Sequence, residues 1–134
     1  MSPRRCTVDL TLDLAAPHCA RTLLCLVLGQ WGVTDDDTRD GAAIVVSELV
    51  TNALIHADDG GPILLEIALD DGSLRISVAD ASSTVPAQRR ADDVAESGRG
   101  LSIVDQLSMR WGVEPWPGGK RVFAELPLLH DHCA

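Results

Sequence analysis

Apolar and polar residues alternate strictly near the beginning of the chain. Threonine or aspartate separates the members of an apolar row that consists of Cys6, Val8, Leu10, Leu12 and Leu14. A period of two is typical of a strand that buries one face, because successive side chains of a strand point to opposite sides of the sheet. The pattern therefore predicts a first strand with one face in the core.

The spacing of apolar residues changes to that of a helix after Pro17. Proline suits the first turn of a helix, and the residues that follow, up to about Gln30, place apolar side chains three and four positions apart. This spacing gathers them on one stripe of the helix surface. We therefore predict an amphipathic helix that faces the core.

A second and longer helix is predicted to begin at Thr34 or Asp35, either of which can cap it, and to run to Ala57. Residues 42–57 are apolar almost throughout, and Glu48 is the only certain charge in this stretch. A helix that is apolar on most sides is expected to be buried. Any polar group that it carries therefore needs a polar partner.

A β-hairpin is the strongest local prediction in the second half of the chain. Apolar residues alternate in residues 63–69 and again in residues 74–78, and the turn sequence Asp71-Gly72 lies between the two rows. Aspartate followed by glycine favours a tight turn between paired strands. We therefore expect two neighbouring antiparallel strands here.

The remaining segments predict a loop, a helix and a closing hairpin. Residues 81–97 have no sustained periodicity, and so long a loop in a small domain is usually functional, so we interpret it as a lid. Residues 101–107 are predicted to be a short helix. Residues 109–113 and 121–126 read as a hairpin around the glycines that follow Pro117.

Length and charge limit the classes of protein that this chain can belong to. Its 134 residues, 46% of them hydrophobic, suit one domain over residues 1–134, with a core at about 5–127 and a tail at 128–134. A formal net charge of −9 argues against direct binding of nucleic acid, which needs a basic face. The four cysteines show no Cys-x-x-Cys spacing, the beginning resembles no signal peptide, and no apolar stretch is long enough to span a membrane. We therefore expect a cytoplasmic protein.

The first candidate for chemistry is a polar pair on the long helix. Glu48 and Asn52 are one helical turn apart and point toward a common site. In one interpretation, Glu48 is a core carboxylate paired with an arginine and Asn52 is a buried amide bonded to a loop. In the other, both side chains face a ligand.

The second candidate is Asp80. It has the same strand parity as Leu74, Ile76 and Val78, so its side chain is expected to point into the interior at the end of a strand. A carboxylate without a partner is costly to bury, and an N–H donor such as the exocyclic amine of a purine would satisfy it. The alternative is an Asx-turn in which Asp80 caps the loop that follows.

The third candidate is a pair of glycines at the beginning of the short helix. Gly98 and Gly100 flank Arg99 and precede Leu101. Glycines in this position allow backbone N–H groups to turn toward an anion, and the helix dipole favours negative charge there. A flexible hinge of the lid is the alternative interpretation.

The order of these features resembles the nucleotide-binding domain of the GHKL (histidine kinase-like) ATPase superfamily, which gyrase, histidine kinases and MutL share. More narrowly, VSELVTNA at residues 46–53 and SGRGLSIVD at residues 97–105 look like the anti-sigma-factor serine/threonine kinases of bacterial partner switching. The resemblance covers nearly the whole chain. It implies a Bergerat-type ATP-binding fold, which is an α/β two-layer sandwich with a mixed, mostly antiparallel sheet and helices on one face.

The resemblance also implies roles for single residues. Glu48 matches the glutamate that orients or deprotonates the attacking hydroxyl or water, and is thus the catalytic residue. Asn52 matches the asparagine that binds the Mg²⁺ that bridges the phosphates of ATP. Asp80 matches the aspartate that accepts a hydrogen bond from the adenine amine. A carboxylate base and a hard amide oxygen suit these two tasks of catalysis and metal binding.

In the same way, the segment from Gly98 to Leu101 matches the phosphate-binding part of the lid. Gly98, Gly100 and Leu101 are expected to contribute to cofactor binding, and Arg99 is expected to add a charge-assisted contact to phosphate. Two features depart from the superfamily. No glycine follows Asp80 in residues 81–84, and Arg121 stands where related proteins often have threonine.

The resemblance also implies a function. The chain is expected to bind ATP and Mg²⁺, to phosphorylate a STAS-type anti-anti-sigma protein on serine or threonine, and to sequester a sigma factor. The departures near Asp80 motivate an alternative, which is a partner-binding module of the same fold that binds nucleotide without catalysis or not at all. Relatives commonly dimerise, so a homodimer is an open alternative to a monomer. The histidines and cysteine after residue 129 are interpreted as a solvated tail, not a metal site.

Overall fold

Five strands and three helices make up the part of the chain that the computed structural model describes, which is residues 4–56, 61–80 and 101–128. In chain order they are β1 (Arg4–Leu10), α1 (Ala16–Gln30), α2 (Asp36–His56), β2 (Ile63–Asp70), β3 (Ser73–Asp80), α3 (residues 101–107), β4 (Arg110–Trp116) and β5 (Gly119–Pro127). The predicted α/β fold class is confirmed, and each predicted helix and strand of the described ranges is present.

The strands form one sheet in the order β1-β2-β3-β5-β4, and all four neighbouring pairs within it are antiparallel. Two predicted turns fix the hairpins. Gly72, between β2 and β3, has a φ of 77°, and Gly118, between β4 and β5, has a φ of 79°. Only glycine adopts this left-handed conformation at little cost, so both turns depend on it.

One face of the sheet is buried under the helices. The side chains of Leu74, Ile76 and Val78 on β3 are at most 1% exposed, and their cross-strand partners on β5 belong to the same core. The core also contains the inward residues of α1 and α2 and the alternate residues of β2, among them Ile63, Leu65 and Ile67. Helices on one face of an antiparallel sheet make the two-layer sandwich that was predicted.

The beginning of α2 follows directly from its sequence. Asp35 is the cap, because its Oδ2 accepts hydrogen bonds from the Thr38 backbone N–H at 2.8 Å and from the Thr38 hydroxyl at 2.7 Å. Asp36 and Asp37 lie in the first turn, where the helix dipole favours negative charge. Of the helices in the described ranges, none combines the length and the apolar character needed to cross a membrane.

The prediction was wrong about Leu14. The apolar row of the first strand was expected to continue to this residue, but β1 ends at Leu10 and the side chain of Leu14 is 95% exposed. The cause is local: the Asp13 N–H donates to Thr11 O, and Asp13 Oδ1 accepts from the Ala15 N–H, which turns the chain toward α1. The alternation of apolar and polar residues therefore continues beyond the end of the strand.

Candidate functional site

The end of α2 lies at the same edge of the sheet as the end of β3. Leu10 pairs with Ile63 at this edge, and α1 begins six residues after Leu10. At the opposite edge, the Arg4 guanidinium donates to Trp31 O at 2.9 Å, so α1 has crossed the sheet by the time it ends. The chain then turns into α2, which must return to the first edge.

Contacts between the helices confirm that α2 runs antiparallel to α1. Arg39, near the beginning of α2, donates to Cys25 O at 3.2 Å, whereas Ser47, two turns later, accepts from Arg21 at 2.9 Å. The partners move backward along α1 as α2 advances, and α2 packs over β3 and β5. The last turns of α2 therefore lie over the edge at which β3 ends and β5 begins.

Asn52 is a buried polar side chain within these last turns. Its exposed fraction is 6%, and among the described residues its side-chain oxygen Oδ1 has no hydrogen-bond partner. An amide oxygen that loses water without gaining a donor costs free energy in the folded protein. A bound cation would remove this cost, because an amide carbonyl is the hard oxygen ligand that Mg²⁺ accepts. Asn52 therefore fits the metal-ligand role expected from its sequence.

Glu48 lies one turn earlier on α2 and is half-buried. The interpretation that an arginine neutralises it is not observed within the described ranges. The nearby arginines bond elsewhere: Arg21 donates to Ser47, and Arg39 donates to Val33 O and to Cys25. The carboxylate of Glu48 thus remains available on the same helix face as Asn52, with enough exposure to meet a substrate.

Asp80 ends β3 and points into the interior, as its parity predicts. It is 6% exposed and lies directly opposite Lys120, the second residue of β5, which is 4% exposed. Lys120 Nζ lies 3.3 Å from Asp80 Oδ2 and 3.4 Å from Oδ1. The expectation that Asp80 needs an external donor was therefore incomplete, because the chain supplies a cation beside it.

Sequence reasoning missed Lys120, although a signal for it was present. Val122, Ala124 and Leu126 are an alternating apolar row on β5, and all three are buried. Lys120 continues that row by one step toward the Pro117-containing turn, so the same parity places its ammonium on the inner face. Two inward charges of opposite sign at one edge of a sheet predict an ion pair.

Arg121, which stands where related proteins often have threonine, does not face Asp80. Arg121 follows Lys120 and therefore points to the other face of the sheet. There it pairs with Glu114, and its guanidinium lies 4.3 Å from the centre of the Trp116 ring. Lys120, not Arg121, is thus the cation beside Asp80.

The face of the sheet away from the helices has a separate charged network. Arg75 and Arg110 both donate to Glu125, at 2.7 Å and 2.8 Å, and their guanidinium groups lie 4.2 Å and 5.2 Å from the centre of the Phe123 ring. The hydrogen bond from Arg110 lowers the pKa of Glu125 most, and Arg75 adds to it, while partial burial acts in the opposite direction. This network holds β3, β4 and β5 together and takes no part in the site.

The expected phosphate-binding residues Gly98, Arg99 and Gly100 lie outside the described residues, as does the lid at residues 81–97. Leu101 is the first described residue of α3 and is half-buried. Val104, which is fully buried, anchors α3 to the core. The structure therefore places Asn52, Asp80 and Lys120 at one edge of the sheet. The phosphate-binding role of Gly98, Arg99 and Gly100 stays a prediction.

Metal binding by acidic or sulfur ligands is not indicated in the described ranges, which contain no group of three or more histidine, cysteine, aspartate or glutamate side chains close enough to hold an ion. The ion that suits this edge is one that needs few protein ligands. Mg²⁺ is such an ion, because it keeps several waters and takes further oxygens from the phosphates of a nucleotide.

Comparison with known proteins places this geometry in a family. The model of the histidine kinase-like ATPase domain matches residues 10–124. The chain is 35% identical over 72 residues, which are 52% of its length, to the uncharacterized protein SCO4941 of Streptomyces coelicolor, of which they cover 69%. Its fold is similar to that of the RsbU and RsbW domains of Rv1364c from Mycobacterium tuberculosis, with a TM-score of 0.71 and 23% identity.

That structural match covers 92% of this chain but 32% of the Rv1364c chain, so it concerns one part of a larger protein. At this identity it supports the fold alone. The family match extends from the end of β1 to β5 and includes every residue of the site at the Asp80 edge. The resemblance stated from the sequence is thereby confirmed at the level of the superfamily, which implies ATP binding: the chain belongs to the histidine kinase-like ATPase domain family.

Proposed function

We propose that the chain is an anti-sigma regulatory serine/threonine kinase, which phosphorylates a STAS-type anti-anti-sigma protein and sequesters a sigma factor. The observation that carries the proposal is the buried side-chain oxygen of Asn52, one turn after Glu48 on a helix that ends over Asp80. The family match supports nucleotide binding. The narrower assignment rests on the motifs at residues 46–53 and 97–105, and the fold shared with a structure that contains an RsbW domain is the fold it requires.

Each described residue of the site has a role in this proposal. Asn52 Oδ1 would hold Mg²⁺, which neutralises charge on the phosphates when it is bound. Asp80 accepts a hydrogen bond from the base of the nucleotide. Glu48 accepts the proton of the serine or threonine hydroxyl as the oxygen of that hydroxyl bonds to the γ-phosphorus and the bond to ADP breaks. Gly98, Arg99 and Gly100 would contact the phosphates.

The test is transfer of labelled γ-phosphate from ATP to purified STAS proteins. Glu48→Gln keeps the shape of the side chain and removes the base, so we expect nucleotide affinity to stay within about threefold and transfer to fall by about a hundredfold or more. Asp40→Asn, an exposed acid on the same helix, is the matched control and should transfer at the parental rate. Parental transfer by Glu48→Gln would refute the assignment of the base.

A second function is favoured by one observation, the ion pair between Lys120 and Asp80. If the ammonium prevents Asp80 from bonding to the base of a nucleotide, the domain would bind its partner protein without phosphoryl transfer. The same assay separates the two functions. Stable partner binding measured by calorimetry, with no transfer to any STAS protein, would favour the binding module over the kinase.

A further inference from the structure

The ion pair with Asp80 does not compensate fully for the burial of Lys120. Its side chain is 5% exposed and its ammonium carries three N–H donors, yet both oxygens of Asp80 lie at 3.3–3.4 Å, which is long for a charge-assisted hydrogen bond. A buried ammonium loses its hydration, and one loose ion pair does not fully compensate for that loss. The ammonium therefore keeps donor capacity for a further acceptor at this edge.

The geometry points to Lys120 as a base-recognition residue, which with Asp80 reads the Watson–Crick edge of the nucleotide and favours adenine over guanine. This inference rests on the proposed nucleotide site. Asp80 alone presents only acceptors, so it selects a base edge with donors. Asp80 and Lys120 side by side present an acceptor and a donor, which complement the N6 donor and N1 acceptor of adenine, whereas guanine presents an acceptor and a donor in the reverse order.

The pairing differs between the two bases. With adenine, Asp80 accepts from the exocyclic N6 amine while Lys120 donates to ring nitrogen N1. Guanine in the same pose would place O6 against Asp80 and N1–H against the ammonium of Lys120, so that acceptor meets acceptor and donor meets donor. The separation of 3.3–3.4 Å between the ammonium and the carboxylate oxygens lets both contact neighbouring atoms of one base.

The first experiment uses the parental chain and needs no variant. Calorimetric titrations with Mg²⁺ compare ATP, GTP, 1-deaza-ATP, which lacks the N1 acceptor, and 7-deaza-ATP, which keeps it. We expect 1-deaza-ATP to bind about tenfold or more weakly than ATP, because a charge-assisted hydrogen bond is lost. We expect 7-deaza-ATP to match ATP within about threefold and GTP to bind about tenfold or more weakly than ATP.

The second experiment assigns that discrimination to Lys120. Lys120→Met keeps the length of the side chain and removes the ammonium, so the penalty for 1-deaza-ATP should shrink to about threefold or less, and the penalty for GTP relative to ATP should shrink as well. Arg121→Met is the matched control, because it removes a cation from the adjacent position on the opposite face of β5. Its ratios should equal those of the parental chain.

Each outcome decides between the alternatives. Equal binding of ATP and 1-deaza-ATP by the parental chain would overturn the inference even if Lys120→Met does not fold, and so would ratios that Lys120→Met leaves unchanged. Lys120-dependent base discrimination without phosphoryl transfer would keep this inference and refute the kinase. Phosphoryl transfer by a chain that binds ATP and 1-deaza-ATP equally well would support the kinase proposal and refute the role of Lys120.

Discussion

Replacing Asn52 with alanine should raise the stability of the free protein. The same replacement should abolish the further gain in stability that Mg²⁺ and ATP give to the parental chain. The side-chain oxygen of Asn52 is buried and, in the described ranges, has no hydrogen-bond partner. Leaving such a group unsatisfied costs about 1–3 kcal/mol. Alanine adds up to about 0.7 kcal/mol through its higher helix propensity, and lost packing of the small amide removes about 1 kcal/mol.

These terms give a net increase of about 1–2 kcal/mol in the free energy of unfolding. For a domain of this size the melting temperature moves by roughly 4 °C for each kcal/mol, so we expect a rise of about 4–8 °C. Differential scanning calorimetry without nucleotide measures this change directly. Thr51→Ala is the matched control, since Thr51 is half-buried on the same helix and reports helix propensity without the buried oxygen.

The second half of the prediction concerns the ligand. A nucleotide at a hundred times its Kd adds about 2.7 kcal/mol to the stability of a protein that binds it. The parental chain and Thr51→Ala should both show this shift with Mg²⁺ and ATP, whereas Asn52→Ala should not. A loss of more than about 1 kcal/mol on Asn52→Ala would refute the reasoning, because it would mean that the amide stabilises the fold through bonds of its own.

Two further predictions concern the face of the sheet away from the helices. A Cβ added at Gly112 would lie 3.1 Å from two atoms of the Phe123 ring, which Arg75 and Arg110 hold in place, so Gly112→Ala should lower the free energy of unfolding in urea by about 1 kcal/mol. Gly41→Ala, where the added Cβ meets nothing within 4 Å, should instead raise it by about 0.5–1 kcal/mol, and equal shifts would contradict the packing argument. Because the pKa of Glu125 is lowered from 4.5 on folding, its contribution is present above that pH and is lost as the pH falls through the lower folded value. The stability difference between the parental chain and Glu125→Gln should therefore be constant near neutral pH and shrink below about pH 4.5 in acid titrations, and a difference that grows there would refute the assignment.

Periodicity predicted most of the fold because the elements are amphipathic in a regular way. The rows of β2 and β3 meet across the turn at Gly72, and Leu65 faces Val78 in the register that the turn requires. Local rules decide such hairpins, since a short turn fixes which residues are opposite each other. The same rules could not predict that β1 ends at Leu10. Apolar and polar residues continue to alternate as far as Leu14, whereas the pairing with β2 stops at Leu10.

The candidate site was predictable where its signals are local and not where they depend on distant residues. Glu48 and Asn52 share a helix, so their common direction follows from a spacing of four. The partner of Asp80 lies 40 residues further along the chain, and only the pairing of β3 with β5 brings Lys120 opposite it. The apolar row of β5 indicates that Lys120 points inward, but no pattern within either strand specifies that β5 pairs with β3, so the partner of Asp80 was missed.

Burial of polar groups in the described core supports a function for the edge at Asp80. The buried polar residues of the described ranges are Thr38, Asn52, Ser77, Asp80 and Lys120. Thr38 belongs to the cap of α2, and Ser77 lies on the sheet face away from the helices. The other three gather where α2 ends over β3 and β5, although apolar residues at these positions would extend the core at no cost in desolvation. Natural proteins accept such costs mainly at functional sites, and this is the physical argument for the proposed nucleotide site at this edge.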